Sequence, residues 1–93
     1  MKTHNIKMHP EYFSRLIRGE KSFEFRKNDR DYREGDCVFL HECTVMDGTV
    51  CKEEIYSGRS CIVIIKDVYD LGKLYSQFDG FVIFTFKILK INA

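Results

Sequence analysis

Residues 61–68 read CIVIIKDV, a nearly continuous run of β-branched and other apolar side chains. A run of this kind is typical of a strand that lies inside a sheet rather than at its edge. We therefore expect residues 61–68 to form the central strand, with the rest of the chain arranged around it.

The segments on both sides of this run also have strand patterns. In residues 22–27, Phe23 and Phe25 alternate with Glu24 and Arg26, and we expect the two phenylalanines to fill the interior. The other predicted strands are residues 4–8 (an edge strand), 37–43 (Val38 and Leu40 on one side) and 81–91 (Val82, Phe84, Phe86 and Ile88 facing one way).

Turn signals separate these strands. Asp47-Gly48 lies between two short apolar pairs, which predicts a hairpin. Gly58 predicts a further turn, and residues 28–36 predict a polar turn region that ends in Gly35-Asp36. Residues 71–80 predict a loop with one helical turn.

One helix is predicted, over residues 10–18. Pro10 suits its first turn, where the missing backbone donor costs nothing. Tyr12, Phe13, Leu16 and Ile17 form a single apolar stripe, and Gly19 can adopt the left-handed conformation that ends a helix.

With 93 residues the chain is expected to form a single domain, residues 1–93. The pattern predicts a mixed α+β protein that is mainly β. Five or six strands and one helix cannot lie flat in so small a domain. We expect a small closed or partly open β-barrel with the helix packed over one opening, because this arrangement leaves few exposed strand edges.

The composition excludes several classes of protein. Fifteen basic and fourteen acidic residues give a formal charge of +1, so a basic site must be a local patch. No apolar run approaches the ~20 residues of a membrane helix, and no signal peptide opens the chain, so we expect a cytoplasmic protein without a membrane partner. In that compartment the four cysteines should be free thiols.

No metal or other cofactor is expected. The cysteines contain no C-x-x-C pair, and the three histidines are scattered without ligand spacing. His4 is interpreted as a surface histidine, with a site role as the alternative.

Twelve of the nineteen residues from 18 to 36 are charged, six basic and six acidic. Glu24 and Arg26 share one strand face, and Lys21 precedes that strand. One interpretation is a solvated face with weak ion pairs. The other is a site where Lys and Arg bind phosphate or a base while carboxylates orient them.

Residues 19–26, GEKSFEFR, resemble the G-x-K-T-x-E-x-R signature of the ASCH domains, which belong to the PUA-like superfamily of small β-barrels. The longer string at residues 21–31, KSFEFRKNDRD, followed by Gly35-Asp36, resembles the short bacterial and phage ASCH-like proteins of unknown function. Further matches in the same order are His4 and Lys7, then Pro10, Tyr12 and Phe13, then a turn at residues 56–59 (YSGR) and a closing segment at residues 79–82 (DGFV).

This resemblance implies a PUA-like barrel with a cleft beside the first helix, and it implies RNA or nucleotide binding. Gly35-Asp36 would form a structural turn. The residues implied to form the cleft and its rim are Lys21, Glu24 and Arg26 in the cleft, Asn28, Asp29 and Arg30 at the rim, and Arg59 from the opposite turn.

One branch of the ASCH family is enzymatic and hydrolyses the amide of acetylated cytidine with a Lys, a Thr nucleophile and a Glu. Lys21 matches the lysine, but Glu24 stands where that branch has its threonine. A carboxylate does not replace a hydroxyl nucleophile in acyl transfer. Binding of RNA or a nucleotide is therefore the leading prediction. The alternatives are an amidohydrolase acting on a modified nucleoside through Lys21 and Glu24, and an accessory factor that binds a protein partner.

Overall fold

The structure, a computed structural model, describes residues 1–47 and 52–92 of the chain. It contains one helix, five strands and two short 3₁₀ turns. In chain order these are β1 (Thr3–Met8), α1 (Pro10–Ile17), β2 (Phe23–Lys27), β3 (Cys37–Asp47), β4 (Lys52–Asp70), the 3₁₀ turns Leu71–Lys73 and Ser76–Phe78, and β5 (Phe81–Asn92).

All five strands belong to one curled, half-barrel sheet with the order β1-β3-β4-β5-β2. The pair β1–β3 is parallel, and the other neighbouring pairs are antiparallel. Residues 61–68 lie in β4, the middle strand, so the prediction of a central strand is confirmed. The predicted edge position of the first strand is also confirmed, and β2 forms the other edge.

The hydrophobic core lies inside the curl and is covered by α1. Phe13 and Leu16 of the helix are fully buried there, as the apolar stripe predicted. The helix ends at Ile17, one residue earlier than expected, and Gly19 adopts a φ of 77° directly after the cap residue. The strands contribute Ile6 and Met8 from β1, Val38 and Leu40 from β3, Val63 and Ile65 from β4, and Val82, Phe84 and Phe86 from β5.

The predicted hairpin is part of two longer strands. β3 and β4 remain paired as far as Asp47 and Lys52, so the arms of the hairpin extend these strands and add no sixth strand. Residues 48–51 of the turn itself lie outside the described residues. The loop predicted at residues 71–80 is confirmed, but it contains two 3₁₀ turns where one helical turn was expected.

The prediction of a chain-reversing turn at Gly58 is wrong. Gly58 lies within β4, at a bulge where the pairing with β3 jumps from His41–Ser60 to Cys43–Tyr56. A bulge leaves extra residues on one strand, and here glycine takes the positive φ of 90° that this geometry needs. A glycine signal alone does not distinguish such a bulge from a turn.

The prediction that Phe23 and Phe25 fill the interior is also wrong. Their side chains are 48% and 47% exposed, whereas Glu24 is 6% exposed and faces the core opposite Phe84. Alternation correctly put these side chains on opposite faces, but it does not say which face is inside. Glu24 can be buried because two cations neutralise its carboxylate.

His4 is not a surface histidine. It is 6% exposed, its Nε2 lies 2.8 Å from Oδ2 of Asp36, and its ring packs 4.8 Å from the ring of Tyr32. Asp36 also accepts hydrogen bonds from the backbone N–H groups of Lys2 and Arg33. The turn at Gly35-Asp36 thus fixes the start of β1 against the start of β3.

Candidate functional site

A cavity of about 490 Å³ opens between α1 and the free edge of β2. The structure brings the three predicted cleft residues Lys21, Glu24 and Arg26 together in its wall. The cavity is lined by Tyr12, Lys21, Glu24, Phe25, Arg26, Lys27 and Phe81.

The buried carboxylate of Glu24 organises this cavity. Its Oε1 lies 3.1 Å from Nζ of Lys21, and its Oε2 accepts a hydrogen bond of 2.8 Å from Nε of Arg26. Both carboxylate oxygens are therefore paired with cations, which offsets the cost of removing the charge from water. The two cations are in turn held in fixed positions at the cavity wall.

Arg26 has a second contact that involves the opposite edge of the sheet. Its Nη2 donates a hydrogen bond of 2.7 Å to the backbone carbonyl of Lys7, in β1. Because β1 and β2 are the two edge strands, this side chain bridges the gap that keeps the sheet from being a closed barrel.

A second cavity of about 180 Å³ adjoins the first and shares Arg26 and Lys27 with it. Its lining residues are Ile6, Lys7, Arg26, Lys27, Asp29, Arg30 and Tyr32. Together the two cavities are lined by five basic and two acidic side chains, although the whole chain carries a formal charge of only +1. The cavities thus carry a local excess of positive charge.

Two of these basic side chains are available to a ligand. Within residues 1–47 and 52–92, neither Lys27 nor Arg30 forms an ion pair, and both are exposed. Lys7 is already paired with Glu54, and each of these two groups shifts the pKa of the other so that the charged forms are favoured. Lys27 and Arg30 are therefore the cations that need no rearrangement to contact an anion.

Aromatic rings continue the first cavity onto the surface. Nζ of Lys21 lies 4.8 Å from the ring centroid of Phe23 and 5.7 Å from that of Tyr12. The rings of Phe25 and Phe81 are stacked, with centroids 5.4 Å apart and planes 7° from parallel. Sequence reasoning missed Tyr12 and Phe81 as cavity residues. Phe81 reaches the cavity because β5 pairs with β2, where Phe81 lies opposite Lys27.

Two predicted site residues, Asn28 and Arg59, line neither cavity. Oδ1 of Asn28 accepts a hydrogen bond of 2.9 Å from the backbone N–H of Tyr32, so this side chain stabilises the turn after β2. Arg59 lines neither cavity; it forms two hydrogen bonds of 2.9 and 2.6 Å with Glu42 and lies over the ring of Phe13. These hydrogen bonds from Arg59 lower the pKa of the Glu42 carboxyl.

Tyr32 forms part of the wall of the second cavity. Its side chain is buried between His4 and Phe84, and its burial raises the pKa of the phenol above the ordinary value. The nearby guanidinium groups of Arg26 and Arg30 act in the opposite direction. Tyr32 was not identified from the sequence, because a single tyrosine in a polar turn region gives no burial signal.

The described part of the chain contains no cluster of three or more His, Cys, Asp and Glu side chains that could hold a metal ion. Cys37, Cys43 and Cys61 carry free thiols, and burial raises the pKa of the Cys61 thiol to about 11. In the ranges that the structure describes, no helix has the length and apolar character needed to cross a membrane.

Fold and site together define a small, mainly β half-barrel protein with a helix over its core and a basic, aromatic-lined cavity at one sheet edge. The chain belongs to the family described as "Domain of unknown function (DUF3850)", whose model matches residues 3–86. It is 39% identical over 71 residues to a protein of Escherichia phage P2 described as "Uncharacterized 12.9 kDa protein in GpA 3'region". That match covers 76% of this chain and 58% of the phage protein, so the chain spans less than two thirds of its relative's length.

Proposed function

We propose that the protein binds RNA or a nucleotide in the two adjoining cavities beside α1. The observation that carries this proposal is the excess of basic over acidic side chains around the cavities in a chain with almost no net charge. Local positive charge of this kind attracts phosphate groups. Lys27 and Arg30 are the proposed phosphate contacts.

Arg26 and Lys21 have a different proposed role. Glu24 holds both side chains at the wall of the first cavity, so their positions are set before a ligand arrives. Preorganised donors lose less conformational entropy on binding than free side chains do. The planar guanidinium of Arg26 suits a phosphate or the edge of a base, and Lys21 offers a point charge beside Phe23.

The proposal includes the finer assignment of the fold. We interpret the half-barrel as PUA-like and, within that superfamily, as ASCH-like. The supporting features are the G-x-K-x-x-E-x-R spacing at Gly19, Lys21, Glu24 and Arg26 and the cavity beside the first helix. Binding of RNA or nucleotides would take place in the cytoplasm.

The contacts of Glu24 favour binding over amide hydrolysis. A general base needs a carboxylate oxygen that faces the substrate, but each oxygen of Glu24 is engaged by a cation. As a base or nucleophile, Glu24 would have to act with both cations beside its carboxylate. The pairs fit a carboxylate that positions Lys21 and Arg26.

An NMR titration of the isotopically labelled protein tests the site. Adenosine monophosphate and a short RNA oligonucleotide are added separately, and backbone amide shifts are followed. We expect the largest shifts within β2, at Lys21 and at Arg30, with Arg59 and its neighbours in the β4 bulge unaffected because they line neither cavity.

A double variant, Lys27→Gln with Arg30→Gln, should weaken both titrations without changing the fold. Lys90→Gln is the matched control, since Lys90 is exposed near the end of β5 and lines neither cavity. Shifts centred away from the cavities, or equal binding by the double variant and the control, would contradict the proposal.

A further inference from the structure

The outer face of the sheet carries an exposed aromatic surface next to the first cavity. We name it the aromatic face and define it by Phe23 and Phe25 of β2, Phe81 of β5, Tyr69 of β4, and Tyr75 and Phe78 of the connection between β4 and β5. All of these except Phe81, which is partly buried, are exposed. Monomeric proteins rarely expose so many large apolar side chains together without a binding role.

Strand register places these rings side by side. Phe25 lies opposite Ile83 of β5, and Ile83 lies opposite Tyr69 of β4, so the three side chains form one row across the outer face. Phe23 stands two residues from Phe25 on the same face, because side chains alternate along a strand. The row thus spans three neighbouring strands.

The connection between β4 and β5 adds rings to this row. Phe78 meets Phe25 edge-on with ring centroids 6.5 Å apart, and Tyr75 meets Phe78 edge-on at 6.3 Å. Phe25 also stacks on Phe81. Phe25 therefore touches two other rings of the face while about half of its own surface stays in contact with solvent.

Cations border the aromatic face. Lys21 lies against the ring of Phe23, and Lys27 lies opposite Phe81 in the β2–β5 pair. Both lysines also line the first cavity, as do Phe25 and Phe81. A ligand that reaches from the cavity onto the face would therefore meet positive charge first and flat apolar rings next.

We infer that the aromatic face is a stacking platform for unpaired bases, and that the ligand is single-stranded nucleic acid whose phosphates run along Lys27 and Arg30. This inference rests on the proposed function and names its substrate class. Rings bordered by cations suit a strand with splayed bases, since each base offers a flat face and each phosphate a charge. Bases inside a duplex are stacked on one another and cannot lie on the rings.

The charge of the surroundings favours this occupant over a second copy of the chain. A self-interface centred on this face would place Lys27 of both copies at its border, and the rings that define the face supply no carboxylate to pair with them. Like charges that meet in this way destabilise an interface. A nucleic-acid strand neutralises the same lysines.

Fluorescence anisotropy with labelled oligonucleotides of about ten nucleotides tests the inference. Oligoadenylate, oligouridylate and a duplex of the same length are compared at one salt concentration. We expect the order oligoadenylate, oligouridylate, duplex, from tightest to weakest, because the larger purine stacks more strongly. Phe25→Leu keeps an apolar side chain without a flat ring and should weaken oligoadenylate binding about tenfold, the lower range for loss of one stacked base.

Two variants control this measurement. Phe25→Tyr restores a ring and should bind like the wild type. Tyr56→Leu removes an aromatic side chain of similar exposure that lines neither cavity, and it should also bind normally. Thermal denaturation of each variant shows whether it is folded.

The outcomes separate the inference from the proposed function. Normal binding by Phe25→Leu together with weakened binding by Lys27→Gln would overturn the stacking platform and leave phosphate binding in place. If Phe25→Leu and Lys27→Gln both bind normally, or if the wild type does not bind, the stacking platform and the proposed function are both overturned. A change of sedimentation in Phe25→Leu with unchanged affinity for oligoadenylate would show that the aromatic face binds protein, which also overturns the inference.

Discussion

The guanidinium of Arg26 joins the two edge strands of the sheet through its hydrogen bond to the backbone carbonyl of Lys7. The same side chain is held by Glu24 and lines both cavities. One arginine therefore links the closure of the half-barrel to the geometry of the proposed binding site. The prediction that Phe23 and Phe25 fill the interior implies instead that Arg26 lies on the outer face of the strand, away from these contacts.

Arg26→Lys should lower both stability and affinity. Lysine keeps the charge but cannot donate to Glu24 and to the carbonyl of Lys7 with the same fork geometry. Loss of a hydrogen bond that involves a charged group costs about 1–3 kcal/mol, which for a domain of this size lowers Tm by roughly 5–15 °C. Calorimetry checks this. Arg15→Lys is the control and should leave Tm unchanged, because among the described residues the Arg15 side chain pairs only with exposed Glu11 on the helix surface.

Glu24→Gln should destabilise the fold and strengthen the attraction for anions. The substitution leaves Lys21 and Arg26 close together without their shared counter-charge. Removing one partner of a buried pair costs about 3–5 kcal/mol in other proteins, and the partial exposure of Arg26 places the expected loss near the lower figure. Urea denaturation measures the loss. A stability equal to that of the wild type would show that Glu24 is not needed to hold the two cations.

The sequence predicted the strands better than it predicted which of their faces is buried. Val82, Phe84, Phe86 and Ile88 were predicted to face one way, and the first three are buried in the core. In β2 both faces are ambiguous, since one carries phenylalanines and the other a carboxylate and a guanidinium. The burial of Glu24 depends on Lys21, on Arg26 and on the proximity of β1, and only the first two are close in sequence.

The contacts between distant residues were not accessible from the sequence. His4 and Asp36 are 32 residues apart. The sequence around each of them gives no indication that their side chains are in contact. The pairing of Arg59 with Glu42 depends on the bulge at Gly58, which resembles a turn in the sequence. Cleft residues Lys21, Glu24 and Arg26 were found because they belong to one short segment whose motif could be recognised.

The stability of the protein should fall in acid because of Asp36. Burial, the largest single influence, would raise the pKa of this carboxyl, but the hydrogen bonds from His4, Lys2 and Arg33 together lower it below 3.8. Asp36 therefore stabilises the fold fully above its unfolded pKa of about 4, and this contribution is lost as the pH falls through the lower folded pKa.

Asp36→Asn should consequently reduce stability at neutral pH by about 1–3 kcal/mol and reduce the loss of stability on acidification. Urea denaturation at neutral and acidic pH measures both effects. Asp67→Asn is the matched control, because Asp67 is exposed in β4 and makes the same chemical change away from the His4–Asp36 contact. Equal pH dependence in the wild type and in Asp36→Asn would contradict the role assigned to Asp36.

Cys61 should resist alkylation in the folded protein. Its thiol is fully buried and its pKa is raised to about 11, so very little reactive thiolate exists near pH 8. Cys37 is only partly buried and should react faster than Cys61. A timed iodoacetamide pulse followed by peptide mass spectrometry measures the two rates. After denaturation without reductant, titration should find four free thiols, and a count of two would reveal a disulfide.

The most direct test of the central claim is the salt dependence of RNA affinity. Each phosphate contact on a single strand contributes a slope of about −0.7 to the plot of log affinity against log salt. We expect a clear negative slope for the wild type, which becomes shallower by about 0.7 in Lys27→Gln and in Arg30→Gln and stays unchanged in Lys90→Gln. An affinity that does not depend on salt, or slopes that are the same in all four proteins, would contradict the claim that these cavities bind the phosphates of RNA.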